Sequence, residues 1–418
     1  MSMEEFWRLL ENPQMKINNT IMKKNIFYLL LLSITILAPM AIGIVSCNQE
    51  KEGTFISVKN NLHIDRSYET VELTKTLLKL KELNGIGVRD VETGKVLVTQ
   101  EIDSDENGSV DLLLFQPQIE AFSQKKYELI ILKDSNRPKA EDYCYSRFVP
   151  ERMDDYAWEN DKVAFRVFGP AAQKLSEDGD KSGTLSSGID VWLKKVDYPI
   201  IDKWYKKTTE GTGSYHEDTG EGLDNFHVGP SRGVGGIAIK NNENYYYSKN
   251  YTNWHTITKG PIRTSFYIDY DPWNVGGKKI QESRIISLDL GSYLSKFEVS
   301  IMGSDHISAG LTMHEKDGDV VIGSNSWAGY WQPHGDSELG SAIVAPSKYF
   351  SGIDNYQTEE KDLSNLFVKL KVVDNKVTYY AGFSWKERGD FANPQEWHQY
   401  LTEFSNKLKN PLEVSLVE

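Results

Sequence analysis

Apolar and polar residues alternate with a period of two along most of the chain. Between Thr54 and Lys133 the runs are short: FISVKN, YETVELT, GIGVRD, KVLVTQEI, VDLLLF and KYELIILK, parted by Asn-Gly and Thr-Gly pairs. Alternation over a few residues marks half-buried strands, and those dipeptides suit tight turns. Residues 53–140 are therefore predicted to form a small antiparallel β-sandwich. From Glu141 the runs lengthen and become aromatic, as in AFRVFG, IDVWLKKV, RTSFYIDYD, SKFEVSI and NKVTYYAGFSW. The expected fold class is mainly β, with residues 141–418 as a larger antiparallel sandwich. One stretch changes period. Asn393-Pro394-Gln395-Glu396 offers an N-cap, a first-turn proline and a capping-box glutamate, and Trp397, Leu401, Phe404 and Leu408 then recur on one helical face. A C-terminal helix docked on a sheet is expected.

The N-terminus follows another pattern. Lys23 and Lys24 precede an apolar run from Ile26 to Val45 that ends in Ile44-Val45-Ser46-Cys47. A charged start, an apolar middle and small residues before a cysteine resemble a bacterial lipoprotein signal. Residues 1–46 are thus expected to be a signal peptide, Cys47 the lipidated residue, and 1–21 an extension ahead of a start at Met22. The competing reading is a membrane-spanning helix, for which the run is long enough. The lipoprotein reading places the protein in the cell envelope, periplasmic or on the outer-membrane surface, and makes the membrane a partner through Cys47.

Charge and cysteine content narrow the classes. The chain carries 47 basic and 60 acidic side chains, a formal net charge of −13. Nucleic acid is excluded as a partner by such a field. Beyond Cys47 the one remaining cysteine is Cys144, so no intrachain disulfide framework is expected and Cys144 reads as a small buried apolar residue.

Four stretches carry candidate chemistry. In DSDENGSVD, Asp103, Asp105, Asn107 and Asp111 take positions 1, 3, 5 and 9 of an EF-hand-like loop, but position 12 is Leu114. Calcium binding and an ordinary hairpin turn both fit. In RFVPERMDDYAWENDKVAFRVFGP, Asp155, Trp158, Glu159 and Arg166 suit a sugar, whose C–H face stacks on rings and whose hydroxyls bond charged groups. An ion-pair network, with Arg152 and Asp154 in it, is the alternative.

The third stretch, SYHEDTGEGLDNFHVGPSRGVGG from Ser214 to Gly236, is too polar for core and too rich in glycine for regular structure, and so reads as a loop. It lacks the lysine of a phosphate-binding loop and the glycine spacing of a dinucleotide fold. His216, Asp218 and His227 could ligate zinc, at no recognised spacing. Tyr215, His216, Asp218, Glu221 and Arg232 are its candidates for sugar chemistry. The fourth set comes from the long strands and their loops: Trp254, His255, Arg263, Glu282, Arg284, Trp331, His334 and Glu338.

YHEDTGEGLDNFHVGPSRGVGG, DDYAWENDKVAFRVFGP, GPIRTSFYIDYDPW and YWQPHGDSELGSAIV together resemble the bacterial domain-of-unknown-function 4861 family, over nearly all of the chain beyond Cys47. The resemblance implies a galactose-mutarotase-like β-supersandwich and a place in polysaccharide utilisation, near pectin and uronate enzymes. It brings no settled reaction. The leading expectation is a carbohydrate-active envelope lipoprotein acting on acidic, uronate-containing oligosaccharides by lyase, hydrolase or epimerase chemistry. His216 would carry the proton, with Asp218 or Glu221 orienting it and His334 or Glu338 as partner. Arg232 and Arg263 would clamp the carboxylate, and Trp331 would stack on the ring. The alternatives are a saccharide-binding lipoprotein without turnover and an envelope scaffold.

Overall fold

The computed structural model describes residues 53–324 and 326–417. Residues 1–46 and Cys47, with the signal and anchor expected there, lie outside the described residues. Among the described residues no helix is long and apolar enough to cross a membrane.

The chain is mainly β, built from antiparallel sheets with a C-terminal helix. The largest sheet has eight strands, running in space from Tyr251–Thr258 through Arg263–Val275, Lys278–Asp289 and Leu294–Met302 to Lys376–Trp385, Ser337–Val344, Trp327–His334 and Asp319–Gly323. Period two sets its faces. In Leu294–Met302, Phe297, Val299 and Ile301 point into the core while Glu298, Ser300 and Met302 face out. Two five-stranded sheets supply much of the rest of that core. One is centred on His306–Thr312, and the other carries Tyr145–Val149, Asp155–Glu159, Ala164–Val167, Asp190–Lys194 and Gly222–Leu223. A parallel bridge from Ile189 to Gly233 joins them.

The early strands form a three-stranded and a four-stranded sheet around a core of their own, with Ile56, Val88, Leu113 and Phe115 in it. The four-stranded sheet is completed from the far end of the chain, because Glu413–Val417 pairs with Thr54–Lys59. The C-terminal helix is Pro394–Lys409. Asn393 accepts from the Glu396 amide at 3.1 Å, and Glu396 reaches back to the Ala392 amide at 2.8 Å. Trp397 and Leu401 are buried on its inner face.

Among the described residues, two further helices longer than a single turn depart from the all-strand reading. Pro170–Glu177 and Ile201–Thr209 are too short for periodicity to reveal. The second presents Ile201, Trp204 and Tyr205 to the sheet. Ser214–Gly236 is also not loop throughout: Gly222–Leu223 adds an edge strand to Asp190–Lys194, and Val234 opens the strand Val234–Asn241.

Candidate functional site

The site starts from a cross-strand pair. Asp190 lies opposite Arg166 in neighbouring antiparallel strands, and Arg166 lies opposite Ala157 on the other side, so alternation brings Asp155 to the same face. The Arg166 guanidinium donates to Asp190 through Nε at 2.9 Å and through Nη2, and the same Nη2 donates to Asp224 at 3.1 Å. Asp155 Oδ2 sits 3.6 Å from Nη1 and accepts from the Tyr205 hydroxyl at 3.2 Å. Aromatic rings enclose the cluster, with Trp192 packed on Trp204, Tyr205 and Tyr215 at centroid distances of 5.4, 4.8 and 5.1 Å.

Three carboxyls therefore share one guanidinium out of water. Burial pushes Asp155 up to about 6 against the pull of Arg166 and Arg152. Burial likewise raises Asp190 and Asp224, each partly offset by Arg166. One Asp155 oxygen, Oδ1, is buried with no hydrogen-bond partner among the described residues, which favours the neutral acid there.

A cavity of about 600 Å³ opens over this cluster, with Arg166, Asp190 and Asp224 in its floor and Arg152, Lys181, His216, Phe226 and His227 around it. His216 is aimed by the backbone. Its Nδ1 lies 2.6 Å from the Asp224 carbonyl oxygen, and the Asp224 amide donates to the Tyr215 carbonyl at 2.8 Å. A carbonyl only accepts, so Nδ1 carries a proton, and in the neutral imidazole Nε2 is then the nitrogen with the lone pair. The side chain is 58 % exposed.

Arg152 does not pair with Asp154. Its Nε donates to the Tyr215 hydroxyl at 3.0 Å, and among the described residues it forms no ion pair with a carboxylate. The two residues after it, Met153 and Asp154, hold left-handed φ values of 55° and 64°. The Asp154 side chain accepts from Ala171 N at 3.2 Å and its carbonyl from the Tyr251 hydroxyl at 2.5 Å, so the strained turn that places Arg152 is fixed from two sides.

His334 reaches the same loop by another route. Its Nε2 is 2.9 Å from Asn225 Oδ1, and burial with repulsion from His314 brings it down to about 4, so it is neutral near pH 7. His314 packs edge-on to Phe226 at 4.7 Å and bonds the His227 carbonyl at 2.7 Å.

The remaining candidates lie elsewhere or are held by other partners. Asp218 is kept below the ordinary carboxylate range because bonds from Lys195, Gly220 and Gly222 outweigh its partial burial. Glu221 is lowered in the same sense, its burial outweighed by Lys203, Tyr198 and Trp204. Neither touches His216. Glu338 accepts from Lys386 at 2.6 Å and from Trp331 Nε1 at 2.7 Å, not from His334. Arg232 is buried, stacked 3.6 Å over the Tyr247 ring and bonded to Ser187, and burial brings it down to about 10. Arg263 grips Asp289 with two nitrogens and Glu72 with a third.

Glu282 and Arg284 form a buried pair, with Nε donating at 2.8 Å. Arg284 Nη2, 2.6 Å from the same carboxylate, lacks hydrogen-bond alignment. Trp254 stacks on Phe148 at 4.6 Å and His255 on Tyr267 at 4.9 Å. Trp158 is core, and Glu159 bonds Lys194 at 2.7 Å and the amides of Ile200 and Ile201 at 2.9 Å, holding the start of the helix Ile201–Thr209. In the separate calcium-like loop, oxygens of Asp103, Asp105 and Asp111 lie within 4.8 Å of one another, and Asp103 and Asp105 also accept from the Asn107 amide, as a turn requires.

Of the sequence candidates, the fold thus gathers Asp155, Arg166, Tyr215 and His216 at one place. Asp190, Asp224 and Tyr205 join them unannounced. The available signal was an aspartate inside an apolar strand, GIDVWL, since a buried carboxylate needs a partner.

A family model described as Domain of unknown function (DUF4861) matches residues 58–414. The chain belongs to this family. Within the curated proteins, the DUF4861 chain is 49 % identical over 377 residues to Uncharacterized protein P7 of Formosa agariphila, covering 89 % of this chain and 95 % of P7. Among solved structures it is similar to a protein in the glycosyl hydrolase family 38 from Enterococcus faecalis, with TM-score 0.50 and 9 % identity over 88 % of this chain and 48 % of that one. An alpha-mannosidase from Enterococcus faecalis V583 matches with TM-score 0.45 and 10 % identity, over 88 % and 46 %. The chain spans about half the length of these structures. At such identity the likeness concerns the fold.

Proposed function

We propose that this DUF4861 protein is a carbohydrate-active enzyme that removes a proton beside the carboxylate of a uronate-containing oligosaccharide, as in lyase or epimerase chemistry. The observation that carries the reading is a cavity lined by both His216, whose Nε2 has no hydrogen-bond partner among the described residues, and Arg152, a guanidinium that forms no salt bridge there. A uronate carboxylate would take the Arg152 donors, and charge neutralisation there acidifies the adjacent C5–H. His216 Nε2 accepts that proton. In elimination the C–H electrons form the C4–C5 double bond as the C4–O bond breaks, and the leaving oxygen takes a proton from the imidazolium or water. In epimerisation a proton returns to C5 from the opposite face. Hydrolysis by a carboxylate pair fits less well, because Asp155, Asp190 and Asp224 are all turned to Arg166.

A second reading, saccharide binding without turnover, is favoured by one observation: a carboxylate cluster already bonded within itself is also what a rigid binding floor requires. The two separate in one experiment. Digests of uronate oligosaccharides are followed by the absorbance of the unsaturated product and by NMR exchange at C5. On the enzyme reading His216→Ala lowers turnover by roughly 10²–10⁴-fold with affinity retained. Arg152→Ala weakens binding of acidic more than neutral sugars. Wild-type turnover in His216→Ala would overturn the catalytic assignment, and binding with no product from the wild type would leave the binding protein.

The envelope location rests on Lys23, Lys24 and Ile44-Val45-Ser46-Cys47. Labelled palmitate should enter the protein in a bacterial host and fail to enter Cys47→Ala. Labelling of that variant would refute the anchor.

A further inference from the structure

A second cavity, of about 420 Å³, lies between Ser67–Glu72, the end of the strand Lys278–Asp289 and the C-terminal helix, and shares no lining residue with the His216 cavity. Most of its charges are matched internally. Arg263 holds Asp289 and Glu72, Arg66 holds Glu69, and Lys296 lies 3.1 Å from Glu298. Several polar groups of the lining are unmatched. The Lys407 ammonium and the hydroxyls of Tyr380 and Tyr68 form no hydrogen bond or ion pair among the described residues.

Tyr68 is unusual in two further respects. It holds a left-handed φ of 55°, a costly conformation for a bulky residue, and the residue is 59 % exposed. Its ring is seated against Gly291, where an added Cβ would come within 2.5 Å of it. Gly291 therefore packs against the base of the ring, and the exposed tyrosine borders the cavity.

We propose that this cavity is a second saccharide site, which takes a sugar ring bearing an anionic substituent, a carboxylate or a sulfate ester, with the ring on Tyr68 and the anion on Lys407. The choice of a saccharide rests on the functional reading above, while the anion preference rests on Lys407 itself. Burial, together with the nearby Arg66 charge, lowers the affinity of Lys407 for its proton despite Glu69 and Glu403, neither of which comes within salt-bridge distance, so an arriving anion supplies a closer counter-charge than the fold does. The hydroxyls of Tyr68 and Tyr380 can bond ring hydroxyls in either sense, and Phe404, edge-on to Tyr380 at 5.1 Å, adds an apolar wall. One unpaired cation suits a singly charged substituent, and the net charge of −13 disfavours a polyphosphate. Such a site would hold an acidic chain away from the reacting sugar and add to its residence on the protein.

The test is calorimetric titration of the full protein with trigalacturonate, galactose 6-sulfate and unsubstituted galactobiose. The expected result is tighter binding of at least one anionic probe than of the neutral one, weakened roughly tenfold or more in Lys407→Met, the scale of one charge-assisted bond. Tyr68→Ala, at an exposed position, should weaken the same event if Lys407→Met fails to fold. His216→Ala and Arg152→Ala should leave it in place. Unchanged affinity in both Lys407→Met and Tyr68→Ala, equal binding of the neutral probe, or loss of all binding in Arg152→Ala would overturn the second site. Lys407-dependent binding without any turnover would instead count against the reaction at His216, so the two failures are distinguishable.

Discussion

At the scale of single residues, environment rather than residue type separates function from support. The loop offers Asp218 and Glu221 within five positions of His216, yet lysines hold both, while Asp224 aims the imidazole through its backbone carbonyl. Sequence proximity gave no guide because a turn of this kind sends successive side chains in different directions. Asp155 makes the electrostatics testable. Its folded-state value, about 6, lies above the ordinary carboxyl value, so this group favours the folded state below about pH 4 and loses that contribution as the pH rises through 6. Asp155→Asn removes the loss. Its stability relative to wild type should therefore improve from pH 4 to pH 8, by at most about 3 kcal/mol, the equivalent of two pH units. Denaturant melts at the two pH values provide the check, and a difference independent of pH would refute the assignment.

At the scale of elements, the site depends on a strand and a helix locked by a buried ion pair. Lys194 and Glu159 are both fully buried, and Glu159 also receives the amides of Ile200 and Ile201 at the start of the helix Ile201–Thr209. That helix carries Tyr205 to Asp155 and Trp204 to Trp192. Removing one partner of such a pair leaves a buried charge unmatched. Lys194→Met should thus cost about 3–5 kcal/mol by equilibrium unfolding. Lys194→Met/Glu159→Gln should recover part of that cost; a double variant no more stable than the single one would show that the helix start matters more than the charge. Hydrophobic alternation announced the strands, whereas this helix, two turns long, was hidden in IDKWYKKTT.

At the scale of the whole molecule, the last strand closes the first sheet. Glu413–Val417 pairs residue by residue with Thr54–Lys59, and Arg66, almost wholly buried, donates to the Asn410 carbonyl at 2.7 Å. Deleting residues 411–418 exposes the edge of Thr54–Lys59 and uncovers Ile56 and Val58. Proteolysis of the truncated chain should begin within residues 54–131 and leave the later sheets longer-lived. Simultaneous loss of all regions would show instead that the described chain unfolds as one cooperative unit.

Local physics already determined much of this protein. Period-two runs specify strands, and the Asn393–Glu396 capping box specifies where the last helix begins, because both depend on neighbours close in sequence. Candidate residues such as Arg166, Tyr215 and His216 were visible as types. Their company was not. Asp190 and Arg166 face each other through cross-strand register, Asp224 reaches them from a loop, and Tyr205 from a helix. The same packing buried Arg232 against Tyr247 and matched Arg263 to Asp289, removing two arginines from any substrate. Burial and pairing arise between segments distant along the chain, so only the tertiary structure decided which charged groups were matched and which, like Arg152 and Lys407, form no salt bridge among the described residues.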